Sequence, residues 1–128
     1  MNSNVGIWID HQKAVIVFAA PEHATARTVT SKVGAHPHFA GSQEGGGEKK
    51  YEERFDHTLA NFYEHVIGEL GQPQEIFIFG PGEATRQLEK RLRLHKVLSK
   101  TGVEVEAADA LTEPQVIAKA KEHFGFER

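Results

Sequence analysis

A chain of 128 residues with no cysteine and a formal charge of −3 before its eight histidines are counted is sized for one domain, able to bury roughly 65–70% of the surface its unfolded form exposes. The lack of cysteine excludes disulfides, thiolate zinc sites and cysteine nucleophiles. The slightly acidic balance argues against attraction to nucleic acid over the whole surface and leaves only a local basic face.

Met1-Asn2-Ser3-Asn4-Val5 has neither the basic start nor the apolar run of a signal peptide, and no apolar run nears about 20 residues. Cytoplasmic residence with no membrane partner is the expectation. Val5 to Asp10 and Ala14 to Ala20 read as two strands of a hairpin joined by Asp10-His11-Gln12-Lys13. Ala26 to Val33 alternates polar and apolar residues, as a half-exposed third strand near a sheet edge would. Gly34 to Lys50 breaks all periodicity and predicts a flexible glycine-rich loop over 34–50.

Tyr51, Phe55, Leu59, Phe62, Val66, Ile67 and Leu70 then recur at helical spacing and end at Gly71. Ile76 to Phe79 is continuously apolar, as a strand buried on both faces should be, and Gly80-Pro81-Gly82 stops it. Ala84, Leu88, Leu92, His95 and Leu98 mark a second amphipathic helix, terminated near Thr101-Gly102, and Val103 to Val105 is a short strand. Thr112-Glu113-Pro114-Gln115 has capping-box spacing ahead of a last helix carrying Val116, Ile117, Ala120 and Phe124. Three strands, then helix, strand, helix, strand and helix, predict an α/β, three-layer ribonuclease H-like fold. Its sheet is mixed and five-stranded, with helices on both faces.

Four constellations bear on chemistry. Asp10, Glu52 or Glu53, and Glu83 are the acids a ribonuclease H-like nuclease would need to clamp magnesium. Strand four ends without an aspartate, however, and Glu83 at a helix start is ordinary dipole complementation. His36 and His38 offer imidazoles, with His57 or His23 as further candidates, but nothing fixes a third ligand, so no metal site is assigned. Gly80 and Gly82 sit in a turn able to present N–H groups to a phosphate, or serve as a tight strand-to-helix turn and nothing more. Arg86, Lys90, Arg91, Arg93, Lys96 and Lys100 face only Glu83 and Glu89 in the following helix. Such a basic helix is either an RNA phosphate contact or a solvated face. No catalytic residue and no cofactor is assigned.

These pieces together resemble the middle domain of archaeal and eukaryotic class I peptide-chain release factors and of Pelota. They are more similar still to small stand-alone bacterial relatives of that domain, the translational machinery component-like proteins. The residues that carry the resemblance are Ile7-Trp8-Ile9-Asp10-His11 with Ala14-Val15-Ile16-Val17, Ile78-Phe79-Gly80-Pro81-Gly82-Glu83-Ala84, and Leu111-Thr112 with Gln115-Val116-Ile117-Ala118-Lys119 and Phe124. A glycine loop before a long helix completes the match, which spans nearly the whole chain and implies a single release-factor middle-domain-like domain over 1–128.

In release factors that loop carries Gly-Gly-Gln, which helps water attack peptidyl-tRNA. Here the loop offers Gly41, Gln43, Gly45, Gly46, Gly47 and Glu48. Glutamate cannot donate an amide hydrogen bond, and Gln43 does not follow paired glycines, so the tripeptide is absent. The leading reading is a translation-associated, non-enzymatic domain whose partner is the ribosome or structured RNA. A metal nuclease or peptidyl-tRNA hydrolase is the rival from the enzyme class. A module with a protein partner is the third.

Overall fold

The structure, a computed structural model, describes residues 4–20, 23–31, 47–95 and 101–125, and in 47–57 the backbone alone. Five strands form one sheet in the order β3-β2-β1-β4-β5. They are β1 (Asn4–Ile9), β2 (Lys13–Ala19), β3 (Ala24–Thr30), β4 (Glu75–Gly80) and β5 (Gly102–Ala107), with helices α1 (Gly47–Gly68), α2 (Ala84–Leu92) and α3 (Glu113–His123). Strand β1 pairs antiparallel with β2 and parallel with β4, and β5 continues the parallel half. This is the mixed-sheet arrangement the sequence predicts.

Alternation along the central strands divides the core into two layers. Val5, Ile7, Ile9, Ile16, Ile76 and Ile78 face one side, where Leu59, Phe62, Val66 and Ile67 of α1 and Ala84, Leu88 and Leu92 of α2 cover them. Trp8, Val15, Val17, Phe77 and Phe79 face the other, under Val116 and Ala120 of α3. Both faces of β4 are therefore dry, and each of its four large side chains stabilises the fold by about 1.5–3 kcal/mol through burial. Trp8 also satisfies its indole N–H, donating to the Asp109 carbonyl at 3.0 Å.

Two glycines permit close approaches in this core. A Cβ on Gly6 would lie 2.7 Å from the Ala120 Cβ, so the bare backbone lets α3 sit down on β1. A Cβ on Gly80, whose φ is +152°, would lie 2.3 Å from the Ile9 carbonyl oxygen.

Several boundaries differ from expectation, beginning with β3, expected from Ala26 to Val33 and observed over Ala24–Thr30. Helix α1 starts at Gly47, so Gly47 and Glu48 form its opening turn instead of closing the loop. The run from Glu48 to Arg54 is made mostly of straight-chain helix formers, and their propensity extends the helix upstream of its apolar stripe. Helix α2 ends at Leu92, not near Thr101. There the backbone tightens, with Leu94 N–H donating to Arg91 and His95 N–H to Leu92, and three-residue spacing closes the helix. Helix α3 stops at His123, with Gly125 at φ +78° beyond it.

Candidate nucleic-acid interface

The turn from β4 into α2 fixes the geometry of the basic helix. Gly80 is buried against Ile9, its carbonyl accepts from Ala108 N–H at 3.0 Å, and Gly82 adopts φ +68°. Both glycines thus meet backbone demands of the turn itself. Glu83 is the N-cap residue of α2 and makes no side-chain cap bond. Its carboxylate stands at the positive end of the helix, where it opposes a second anion. The turn orients α2; the cations further along it are what face outward.

Those cations fall into two classes. Arg91 Nη1 donates to Glu64 Oε2 on α1 at 2.9 Å, and Arg93 Nη2 donates to Glu89 Oε2 at 2.7 Å. His95 Nε2 lies 3.0 Å from the other Glu64 oxygen. The Arg91 hydrogen bond, aided by His95, holds the Glu64 carboxyl below the usual carboxylate range. Arg86 and Lys90 are exposed and make no ion pair among the described residues. Lys96 lies outside the described residues. Of the five cations from Arg86 to Lys96 that the sequence singles out, Arg86 and Lys90 are free to meet a phosphate.

The loop residues Gly41, Gln43, Gly45 and Gly46 lie outside the described residues, as do His36 and His38. Asp10 acts locally: its Oδ1 accepts from Gln12 N–H at 2.7 Å and Lys13 N–H at 2.9 Å, the Asx turn of a hairpin. Among the described residues no group of three or more His, Asp or Glu side chains is arranged to hold a metal ion.

Sequence reasoning missed three residues beside the basic helix. Tyr63 on α1 donates its hydroxyl to Gln87 Oε1 on α2 at 2.5 Å. Burial, then the Glu83 carboxylate, push its pKa up to about 12, against a smaller pull from Arg91. Glu64 anchors Arg91 and His95, and Leu94 stands 78% exposed just past the end of α2. Leu94 is adjacent to the apolar stripe but off it, which was the available signal.

No protein-family model matches the chain, and no curated protein does. Solved structures do. The fold is shared with an archaeal translation termination factor. That protein, aRF1, aligns over 97% of this chain and 40% of its own, with a TM-score of 0.50 and 17% identity. The Pelota protein of Thermoplasma acidophilum aligns over 94% of this chain and 32% of its own, with a TM-score of 0.57 and 16% identity. At such identity the likeness is one of fold. The chain spans a third to two-fifths of the length of these proteins. Among the described residues no helix is long and apolar enough to cross a membrane.

Proposed function

We propose that the chain is a relative of the release-factor and Pelota middle domain that binds structured RNA of the translation machinery, ribosomal or transfer RNA, in the cytoplasm. The observation that carries this reading is the fold shared with a translation termination factor over 97% of the chain. The division of cations along α2 supports it, since Arg86 and Lys90 present charge that is paired with no carboxylate among the described residues. Phosphate contact of this kind is independent of sequence and falls steeply with salt. Arg91 ties the helix to α1 through Glu64, Arg93 is spent on Glu89 within α2, and Gly80 and Gly82 set the helix direction. The Gly41 to Glu48 segment lacks Gly-Gly-Gln and makes its contribution without hydrolysing peptidyl-tRNA.

Co-sedimentation with ribosomes over a salt series tests this. The protein pellets with ribosomes at low salt, and the Arg86→Glu, Lys90→Glu double variant stays in the supernatant. Failure of the unmodified protein to pellet, or equal pelleting of the variant, contradicts it. In the same preparation peptidyl-tRNA stays intact, and its turnover would move the reading to the hydrolase.

A further inference from the structure

A groove of about 490 Å3 runs between α1 and α2. Leu59 and Tyr63 line it from α1, and Gln87, Lys90, Arg91 and Leu94 line it from α2 and its end. The α2 positions recur at i, i+3, i+4 and i+7, so the groove follows that helix for about 10 Å, two turns of an apposed helix. Its polar groups are largely spent on one another. The Tyr63 hydroxyl and the Gln87 amide oxygen are bonded together, and the Arg91 guanidinium is held by Glu64. An occupant therefore meets apolar surface in the middle and, at the rim, the Lys90 ammonium, which is in no ion pair among the described residues.

Single exposed leucines are common on protein surfaces. Leu94 differs because it is the one large hydrophobic residue so exposed among the described residues, and it borders an apolar groove that already holds Leu59. Apolar surface flanked by the Lys90 ammonium, which has no ion-pair partner among the described residues, complements a helix with leucine-like anchors on one face and a carboxylate beside them. Unpaired nucleobases ask instead for an open aromatic face or a free guanidinium plane to stack on. Tyr63 is buried and Arg91 is engaged, so the groove favours protein over RNA. We propose that the α1–α2 groove docks a short acidic amphipathic helix of a partner protein, with Leu94 and Leu59 receiving its apolar anchors and Lys90 its carboxylate.

The proposal is tested by panning a displayed library of random peptides on the full chain and titrating the enriched peptides by fluorescence polarisation. Enriched sequences carry Leu, Ile or Phe at i and i+3 or i+4 with Asp or Glu between. Leu94→Asp and Lys90→Glu each weaken them by about tenfold or more. Both side chains are exposed, so both variants keep the unmodified circular dichroism spectrum and melting temperature. Enrichment without that pattern, or equal binding by Leu94→Asp, overturns the proposal. A labelled oligouridine that competes with the peptides and loses affinity on Leu94→Asp makes the groove an RNA site and overturns it as well. Arg86→Glu, outside the groove, scores RNA binding by α2 separately: it weakens oligouridine and leaves the peptides unchanged.

Discussion

Gly80 is the residue on which the turn depends. A side chain there meets the Ile9 carbonyl at 2.3 Å in a backbone conformation with φ +152°, so strain and clash act together. Gly80→Ala is expected to cost roughly 3 kcal/mol or more in urea denaturation, and a loss below about 1 kcal/mol would contradict the geometry. Among the described residues, two titrating groups near α2, Tyr63 and Glu64, contribute to the pH response. Tyr63 ionises near 12 in the folded protein against an ordinary 10.0, so its contribution is complete below pH 10 and is lost as pH rises through about 12. Tyr63→Phe removes that alkaline limb and costs about 0.5–1.5 kcal/mol at neutral pH through the lost hydrogen bond to Gln87. Glu64 is shifted the other way, downward by Arg91, so its contribution is present above its ordinary 4.5 and lost as pH falls through its lowered folded value. Glu69, held down chiefly by Arg27, adds to the same acid limb. Melting temperature measured from pH 7 to pH 3 should therefore decline less steeply for Glu64→Gln than for the unmodified protein.

At the scale of elements, the two helices that flank the sheet on opposite sides are secured differently. Helix α2 relies on burial, since Leu88 and Leu92 are almost wholly enclosed while its N-cap makes no side-chain bond. Leu88→Ala is expected to cost about 2–5 kcal/mol. Helix α3 begins with a complete capping box, Thr112 N–H to Gln115 Oε1 at 2.9 Å and Gln115 N–H to Thr112 Oγ1 at 3.3 Å. It is held further by His123, stacked on Phe77 at 3.8 Å between centroids and 3.3 Å from Glu104. Thr112→Ala should cost about 1 kcal/mol, read by thermal unfolding.

The Thr112-x-x-Gln115 box was legible because capping is a local contract between residues three apart. The end of α2 was not, because His95 leaves the helical stripe to reach Glu64, 31 residues away in the chain, and spacing carries no sign of such a bond. The basic face was legible as composition only. Which cations are free depends on the partners of Arg91 and Arg93. Glu64 lies on another helix; Glu89 lies four residues before Arg93, yet the spacing alone does not say that the pair forms.

At the scale of the molecule, the sheet was legible because each strand's pattern matched its place. Ile76 to Phe79 is apolar throughout and lies inside the sheet between β1 and β5, whereas Ala24 to Thr30 alternates and lies at the edge. The groove between α1 and α2 had no such signature, since it arises from the packing of two helices that the sequence describes one at a time. At this scale the proposed function comes down to an RNA-phosphate contact made by Arg86 and Lys90. It is tested most directly by the salt dependence of binding to a structured RNA, measured for the unmodified protein and for the Arg86→Glu, Lys90→Glu double variant. The logarithm of affinity is expected to fall linearly with the logarithm of salt concentration, and the double variant to lower the slope by about 2. An unchanged slope, or no binding by the unmodified protein at low salt, would contradict it.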